Sequence, residues 1–229
     1  MLKDLIHRIR RKLMKTRLCP IRVYCMHHVS AKFDAESMNE GDWMQINKFK
    51  NRILAMRHNG VEFISLTEAY HHICKDLFRR KKYAVMTFDD GYASLKEILP
   101  WLEEQNIPAV LFINGKYLDG KSYRKNPKEK YLTNEELFAM TSPLIEIGSH
   151  GWEHIRATEQ TDEEFMKSIE MNVQLLSQHL RYIPFHAYTY GDFNVSSNFI
   201  LQEYSLTPVL IDSLNNYKAL HVIHRELLK

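Results

Sequence analysis

The sequence predicts an α/β fold with a mostly parallel sheet, because short apolar runs alternate with helix-like segments along the chain. Its 229 residues suit one domain with a sizeable core, a length that α/β barrels routinely use. Hydrophobic residues make up 45% and charged residues 26%, which argues against disorder. The alternation fits either a barrel or a doubly wound open sheet, and in both of these ligands gather at the carboxyl ends of the strands.

Seven segments carry the strand pattern, and helical segments lie between most of them. The predicted strands are Ile21–Met26, Val61–Leu66, Tyr83–Phe88, Ala109–Ile113, Leu144–Ile147, Ile183–Tyr188 and Thr207–Ile211. The predicted helices are Gln45–Asn59, Thr67–Arg79, Ala93–Gln105, Thr133–Ala139, Asp162–Leu180 and Ser196–Glu203. Helix-start patterns occur at Thr67 with Glu68, Thr133 with Glu136 and Thr161 with Glu164. Residues 115–132 predict a long exposed loop, of the kind that often borders a binding site.

Positive charge is concentrated at the amino terminus. Residues 1–23 hold eight Lys/Arg against one acid, so they carry +7, and the remainder of a chain with net charge +3 carries −4. Residues 2–15 predict an amphipathic helix whose apolar stripe is Leu2, Leu5, Ile6, Ile9 and Leu13. We therefore divide the chain into a basic amphipathic segment, residues 1–18, and a globular domain, residues 19–229.

The basic segment has two interpretations. As an interfacial helix it would contact an anionic membrane surface; the alternative is a helix that is solvated or docks on the domain. Nucleic-acid binding is not expected, because no recognised module accompanies the charge. Three cysteines without a CxxC pair suit a reducing compartment, and neither a secretory signal nor a spanning apolar run is evident. We expect a cytoplasmic protein, peripheral to the inner membrane under the first interpretation.

Two adjacent carboxylates end the predicted strand Tyr83–Phe88, in the run Thr87-Phe88-Asp89-Asp90-Gly91-Tyr92. Like charges this close disfavour ionisation of both acids unless a cation is present. A divalent metal ion bound to one carboxylate removes that cost and leaves the other carboxylate free as a base. The alternative is a surface Asp-Asp-Gly turn without chemistry.

Two histidines four residues apart follow the predicted strand Leu144–Ile147, in the run Ser149-His150-Gly151-Trp152-Glu153-His154. Such a pair can present two nitrogens to one ion if the segment is helical or tightly turned. Because the chain has 12 histidines, an accidental pair on the surface is the alternative. His150, His154 and one Asp would give three protein ligands and an open position for water, the pattern of a catalytic metal site.

These motifs resemble those of the polysaccharide deacetylase family, also called the NodB-homology or chitin deacetylase-like family. Its TFDDG motif is intact at residues 87–91, and its H-(S/T)-x-x-x-H motif is matched by His150 and His154, with Gly151 in place of Ser/Thr. The third motif, at residues 187–191, departs from the family because Thr189 replaces a Pro and the Arg is absent. We find no match for the Asp-containing fourth motif. The resemblance implies a distorted (β/α)7-type barrel.

The amino-terminal half resembles the branch of this family that contains biofilm poly-N-acetylglucosamine deacetylases. Residues 23–29, VYCMHHV, are similar to its MYH-x-V start, and residues 49–68 resemble its F…L…SLxE stretch. Residues 220–225 are weakly similar to its closing L-P-R-I segment. The motif order in that branch looks permuted, so the resemblance implies that His27 takes the position of the general acid. Of His27 and His28, only one can face the site, because neighbours in a strand point to opposite faces.

The resemblance implies a role for each matched residue. Asp90, His150 and His154 would hold a divalent ion, for which Zn²⁺ suits the nitrogen and oxygen ligands while other divalent metals compete. Asp89 would act as general base and His27 as general acid.

Aromatic residues near these motifs are candidates for substrate contacts. The resemblance also implies that the backbone N–H of Tyr190 would stabilise the tetrahedral oxyanion. Tyr92, Trp152, Tyr188 and Tyr190 could stack on a sugar ring, with packing as the alternative that we favour for Tyr188.

The resulting hypothesis is a metal-dependent hydrolase that removes N-acetyl groups from a carbohydrate, either a polysaccharide or a lipid-linked glycan intermediate, and releases acetate. Two alternatives stay open: a hydrolase of non-carbohydrate amides or esters, and a catalytically silent sugar-binding or assembly protein on the same fold. Paired carboxylates beside two histidines argue against the silent protein, because sugar binding alone does not need them.

Overall fold

The computed structural model describes residues 19–36, 38, 40–75, 81–124, 126–212, 214, 216 and 222–228. The basic segment, residues 1–18, lies outside this part of the chain, so its amphipathic helix and the domain boundary at residue 18 stay predictions. Among the described residues, no helix has the length and apolar character needed to cross a membrane.

Seven parallel strands close into a barrel, which confirms the predicted fold class. In order around the ring they are β1 (Arg22–Met26), β5 (Lys82–Asp90), β6 (Ala109–Ile113), β7 (Ile145–Ser149), β8 (Tyr182–Ala187), β9 (Thr207–Ile211) and β10 (Ile223–Leu227). The ring closes where β1 pairs with β5, from Arg22 opposite Ala84 to Met26 opposite Phe88. All carboxyl ends of these strands therefore lie at one end of the barrel.

One predicted strand lies outside the ring, and one ring strand was not predicted. The segment Val61–Leu66 is reduced to β4 (Val61–Phe63), which pairs with the amino-terminal end of β5 beside β1. The seventh ring position belongs to β10, whose sequence Ile-His-Arg-Glu-Leu lacks an apolar run. β2 (His28–Ser30) and β3 (Trp43–Gln45) form a separate two-stranded parallel sheet.

Six α-helices occur in the described part of the chain: α1 (Ile46–His58), α2 (Leu66–Lys75), α3 (Leu99–Glu104), α4 (Asn134–Phe138), α5 (Asp162–Leu176) and α6 (Val195–Glu203). The predicted helix Ala93–Gln105 is divided into the 3-10 turn Ala93–Glu97 and α3. Pro100 explains the break, because it has no N–H to continue the earlier turn and restricts the preceding residue.

Two of the three predicted helix starts are confirmed. Thr133 and Thr161 each accept a hydrogen bond from the backbone N–H three residues later, and the glutamate there bonds back to the cap. The third is wrong, because α2 begins one residue before Thr67 and the Glu68 N–H bonds to the Ser65 hydroxyl at 3.1 Å.

Alternate residues of the strands fill the inside of the barrel. Val85 of β5, Phe112 of β6 and Phe185 of β8 belong to one buried cluster with Leu66 and Ile73 of α2. The intervening residues of the same strands pack against the surrounding helices in a second cluster. This alternation directs Thr87 and Asp89 inward at the carboxyl end of β5, which is the end where the candidate chemistry lies.

A buried carboxylate of β7 binds the first turn of α2 within the barrel, away from the carboxyl ends of the strands. Glu146 of β7 is 4% exposed, and its Oε2 accepts hydrogen bonds from the N–H groups of Leu66 at 2.9 Å and Thr67 at 3.4 Å. We expect Glu146→Ala to lower the free energy of unfolding by about 1–3 kcal/mol, since the first turn of α2 would lose its acceptor in a buried place. Urea denaturation measures this loss.

Glu62 provides the control for this experiment. It is exposed and pairs with Lys81 on the surface at 2.8 Å, so Glu62→Ala should change stability by less than about 1 kcal/mol. Equal effects of Glu62→Ala and Glu146→Ala would contradict the assignment of Glu146 as the anchor of α2.

Candidate active site

The last two residues of β5 place two carboxylates at the carboxyl end of the barrel. Asp89 points inward by strand alternation, whereas Asp90 leaves the strand in a left-handed conformation with φ of 74°, followed by Gly91 with φ of 76°. Aspartate tolerates this region better than most residues. Gly91 adopts its positive φ without the strain that a side chain would bring, and a Cβ there would also lie 2.8 Å from the Ile113 side chain, which would have to shift. The Asp-Asp-Gly run is therefore a buried strand end, and not a surface turn.

Asp90, His150 and His154 converge on one point. The Asp90 Oδ1 atom lies 3.4 Å from His150 Nε2 and 3.2 Å from His154 Nε2, and one ligand atom of each residue lies within 4.8 Å of the other two. The His150 Nδ1 atom lies 2.7 Å from the Ala187 carbonyl, so Nδ1 carries the proton and Nε2 is left as an acceptor.

This cluster fits a divalent ion. Asp90 Oδ1 is buried and has no hydrogen-bond partner, although burying an oxygen in this way is costly. Burial lowers the pKa of His154 to about 4 despite the neighbouring Asp90, so its imidazole is neutral at pH 7 and able to coordinate. One carboxylate oxygen and two imidazole nitrogens are a common donor set of catalytic zinc sites.

The other carboxylate, Asp89, is held by an arginine from the carboxyl-terminal strand. Arg225 of β10 donates from Nη1 to Asp89 Oδ1 at 2.6 Å and from Nη2 to Oδ2 at 2.9 Å. Burial alone would raise the pKa of Asp89, but the charge of Arg225, aided by His150, lowers it to about 2. Asp89 is therefore ionised at neutral pH, and its Oδ2 lies 3.9 Å from His150 Nε2.

A buried cysteine also contacts this acid. The Cys25 thiol of β1 donates to Asp89 Oδ2 at 3.4 Å. Burial raises the pKa of Cys25 well above its ordinary value, which keeps it a neutral thiol. Cys25 thus supplies a weak hydrogen bond and no charge.

The two neighbouring histidines at the end of β1 point to different surroundings. His27 lines the cavity, with its Nδ1 4.0 Å from Asp42 Oδ1. His28 is buried, stacks on Tyr92 with ring centroids 3.8 Å apart, and contacts the Ser94 hydroxyl at 3.1 Å. Of the pair, it is therefore His27 that reaches the site.

Eight of the nine side chains predicted for the site line one cavity of about 780 Å³: His27, Asp89, Asp90, Tyr92, His150, His154, Tyr188 and Tyr190. Trp152 is not brought there; it lines a separate groove with Ile155 and packs on Gly115, where a Cβ would lie 2.7 Å from its ring.

Tyr188 and Tyr190 differ in exposure. Tyr188 is 1% exposed, and its hydroxyl bonds to Asn198 at 3.0 Å, in line with a packing role. Tyr190 is 50% exposed, adopts a φ of 57°, and meets the His154 ring edge-on at 4.6 Å. The guanidinium of Arg156 lies 4.0 Å above the Tyr190 ring. Tyr190 is thus the more available of the two for contact with a ligand.

Sequence reasoning missed the arginines of this cavity. Arg225 pairs with Asp89, Arg124 pairs with Asp90, and Arg156 pairs with Asp192. The repulsion between the paired carboxylates, which we attributed to an ion alone, is therefore also offset by two guanidinium groups. The only signal for Arg225 was the weak similarity of residues 220–225; Arg124 and Arg156 had none.

Buried neutral histidines make the fold sensitive to acid. Burial lowers the pKa of His186 to about 3 and those of His28 and His154 to about 4, whereas the unfolded value is about 6.5. Between these values the unfolded chain binds more protons, so we expect metal-free protein to lose stability as the pH falls from 6.5 to 4. Each histidine contributes up to about 1.4 kcal/mol per pH unit.

Urea denaturation at a series of pH values tests this expectation. His186→Gln should reduce the slope of stability against pH by up to one proton, because the glutamine does not titrate. His58→Gln, at an exposed position of α1, should leave the slope unchanged. A wild-type slope in His186→Gln would contradict the assignment.

The fold and the cluster define the class of protein: a parallel α/β barrel with a carboxylate–histidine centre at its carboxyl end, beside a second, arginine-held acid. A model of the polysaccharide deacetylase family matches residues 78–209, more than half of the 229-residue chain. The chain belongs to the polysaccharide deacetylase family.

Known proteins resemble the chain in sequence or in fold. The putative polysaccharide deacetylase YxkH of Bacillus subtilis (strain 168) is 25% identical over 131 residues, which are 56% of this chain and 44% of that protein. The structure of IcaB from Ammonifex degensii matches with a TM-score of 0.76 at 19% identity, covering 92% of each chain. The Streptococcus pyogenes deacetylase PplD, in complex with acetate, matches with a TM-score of 0.75 at 17% identity, covering 92% of this chain and 93% of that one.

Proposed function

We propose that this protein is a metal-dependent hydrolase that removes N-acetyl groups from a carbohydrate and releases acetate. The observation that carries the proposal is the convergence of Asp90, His150 and His154 beside an ionised Asp89 in one cavity. Membership of the polysaccharide deacetylase family supports the same reaction. A polysaccharide or a lipid-linked glycan intermediate is the proposed substrate.

Asp90, His150 and His154 would hold the ion, with Zn²⁺ as the metal that best suits these donors. Such an ion would supply Lewis-acid chemistry, polarising an acetamide carbonyl and lowering the pKa of bound water to about 7. Asp89 accepts the proton of the attacking water. Arg225 holds both oxygens of Asp89 and lowers the Asp89 pKa to about 2, which keeps this base ionised and oriented.

His27 is the proposed general acid that protonates the departing amine, and the backbone N–H of Tyr190 is the proposed donor to the oxyanion. Asp42 Oδ1 lies 4.0 Å from His27 Nδ1, so the imidazole stands beside a carboxylate at the edge of the cavity. We expect His27→Asn to lower kcat by about 10²- to 10⁴-fold with little change in metal content. His58→Asn should match the wild type, and a near-wild-type kcat in His27→Asn would exclude His27 from this role.

Acetate release from N-acetylated oligosaccharides and glycolipids, combined with elemental analysis of the purified protein, tests the proposed function. We expect about one divalent ion per chain and acetate formed in proportion to free amino groups on the sugar. Sugar binding without acetate release would favour the silent protein. Activity confined to non-carbohydrate amides or esters would favour the other hydrolase.

The location of the protein remains a proposal. We infer a cytoplasmic enzyme whose basic segment, residues 1–18, contacts the anionic inner membrane, with +7 of charge within residues 1–23 as support. Sedimentation with anionic liposomes should be lost when residues 1–18 are deleted. Equal sedimentation of the intact and shortened proteins would exclude membrane contact by this segment.

A further inference from the structure

An arginine from the loop after β6 reaches the candidate metal ligand Asp90. Arg124 Nη2 donates to Asp90 Oδ2 at 2.8 Å and also bonds to the Tyr92 hydroxyl, and its Nε donates to the Tyr131 hydroxyl at 2.8 Å. The Arg124 side chain is only 13% exposed. A guanidinium gives up its hydration at this depth only where its donors are satisfied, so Arg124 occupies a built site.

Three stacked tyrosines hold Arg124 in place. Tyr92 and Tyr131 stack with centroids 5.1 Å apart, and Tyr131 stacks on Tyr117 at 4.9 Å. The guanidinium carbon lies 5.2 Å from the Tyr92 centroid and 5.7 Å from that of Tyr131, within range of cation–π attraction. This packing restricts the rotamers of an otherwise flexible side chain.

The two oxygens of Asp90 have different tasks. Oδ1 faces His150 and His154 and has no hydrogen bond, whereas Oδ2 is occupied by Arg124. Asp90 stands in a left-handed conformation at the strand end, and its Oδ2 accepts a hydrogen bond from a residue distant in sequence. Arg124 supplies that hydrogen bond from a loop 34 residues away.

We propose that Arg124 is a positioning residue for the metal site: it holds Asp90 Oδ2 so that Oδ1 alone is presented to the ion. The inference rests on the proposed metal-dependent function and adds a residue to it. Partners that orient metal ligands typically contribute about 10- to 100-fold to metal affinity. The positive charge of Arg124 repels a nearby dication, whereas its hydrogen bond orients the ligand. Whether removal of Arg124 weakens or strengthens metal binding therefore tests the positioning role.

The test is the Kd for Zn²⁺, measured on full-length protein by competition with a chelator. Arg124→Met keeps the packing on the tyrosines and removes the hydrogen bonds and charge, and it should weaken binding by about 10- to 100-fold. Arg124→Lys retains a cationic donor and should recover part of the loss. Arg22→Met is the matched control, since Arg22 also pairs with an acid, Glu226 at 3.0 Å, but lies at the start of β1 outside the cavity, so its Kd should stay within about twofold of the wild type.

Two further readouts separate the possible outcomes. The visible spectrum of the Co²⁺-loaded protein should change in Arg124→Met and stay unchanged in Arg22→Met. Urea denaturation of the metal-free variants shows whether both are folded. Unchanged Zn²⁺ binding in Arg124→Met would overturn the inference, because Arg124 would then make no net contribution to the metal site. Tighter binding would also overturn it, because Arg124 would then mainly repel the ion. Failure of the wild type to bind Zn²⁺ would instead count against the proposed function.

Discussion

Asp89→Asn should abolish most of the acetate release while leaving the metal content unchanged. Asp89 lies farther from the histidines than Asp90 does: its Oδ2 is 3.9 Å from His150 Nε2, whereas Asp90 Oδ1 is 3.4 Å from the same atom. The two oxygens of Asp89 are held by Arg225 instead. An amide at this position cannot accept the proton of the attacking water. We expect kcat to fall by about 10²- to 10⁴-fold, the usual contribution of a general base.

Metal content and kcat must be measured on the same preparation of Asp89→Asn. Asp192→Asn is a suitable control, because Asp192 also pairs with an arginine but is half-exposed and is not among the described residues that line the cavity. Its kcat should remain within a few-fold of the wild type. If Asp89→Asn kept full activity, the base would have to be another group, and the division of labour between the two aspartates would be wrong.

His154→Ala should have the opposite signature, with loss of the ion first and of activity as its consequence. His154 is one of the three proposed ligands, and its side chain is 6% exposed. Loss of a residue that only orients a metal ligand typically weakens metal binding by about 10- to 100-fold. Removal of a ligand itself should weaken Zn²⁺ binding by more than that. Chelator competition measures the affinity, and excess Zn²⁺ should restore part of the activity.

His71→Ala is the control for His154→Ala, because His71 is an exposed residue of α2 outside the cavity. It should bind Zn²⁺ as the wild type does. Full Zn²⁺ affinity in His154→Ala would show that His154 is not a ligand, even if the variant had lost activity. The contrast between Asp89→Asn, which keeps the ion, and His154→Ala, which loses it, is the functional signature of this site.

Strand patterns predicted most of the barrel because its ring strands are buried on both faces. All five residues of β6 and all five of β7 are buried, so an uninterrupted apolar run marks β6 clearly. β10 escaped prediction because it places the buried Arg225 where an apolar residue would be expected. Val61–Leu66 is predicted as a strand like the other six, because its pattern does not distinguish a ring strand from the short β4 outside the ring.

The residues of the site that the sequence predicted are close to one another in sequence, and those that it missed are distant. Asp89 with Asp90 and His150 with His154 are each close in sequence, and both pairs lie at the ends of strands that pattern alone could place. Arg225 and Arg124 pair with these acids across 136 and 34 residues, and no spacing rule connects them. Charge partners at such separations are decided by the closure of the barrel and the path of a loop, which sequence patterns do not encode.

Anomalous diffraction at the absorption edge of the metal, from crystals of the full-length protein, tests most directly whether a carboxylate and two imidazoles share one cation. The account predicts one strong peak at about 2.0–2.2 Å from Asp90 Oδ1, His150 Nε2 and His154 Nε2, with Asp89 outside the coordination sphere. An ion bound elsewhere, or an ion bound through Asp89 instead of Asp90, would contradict it.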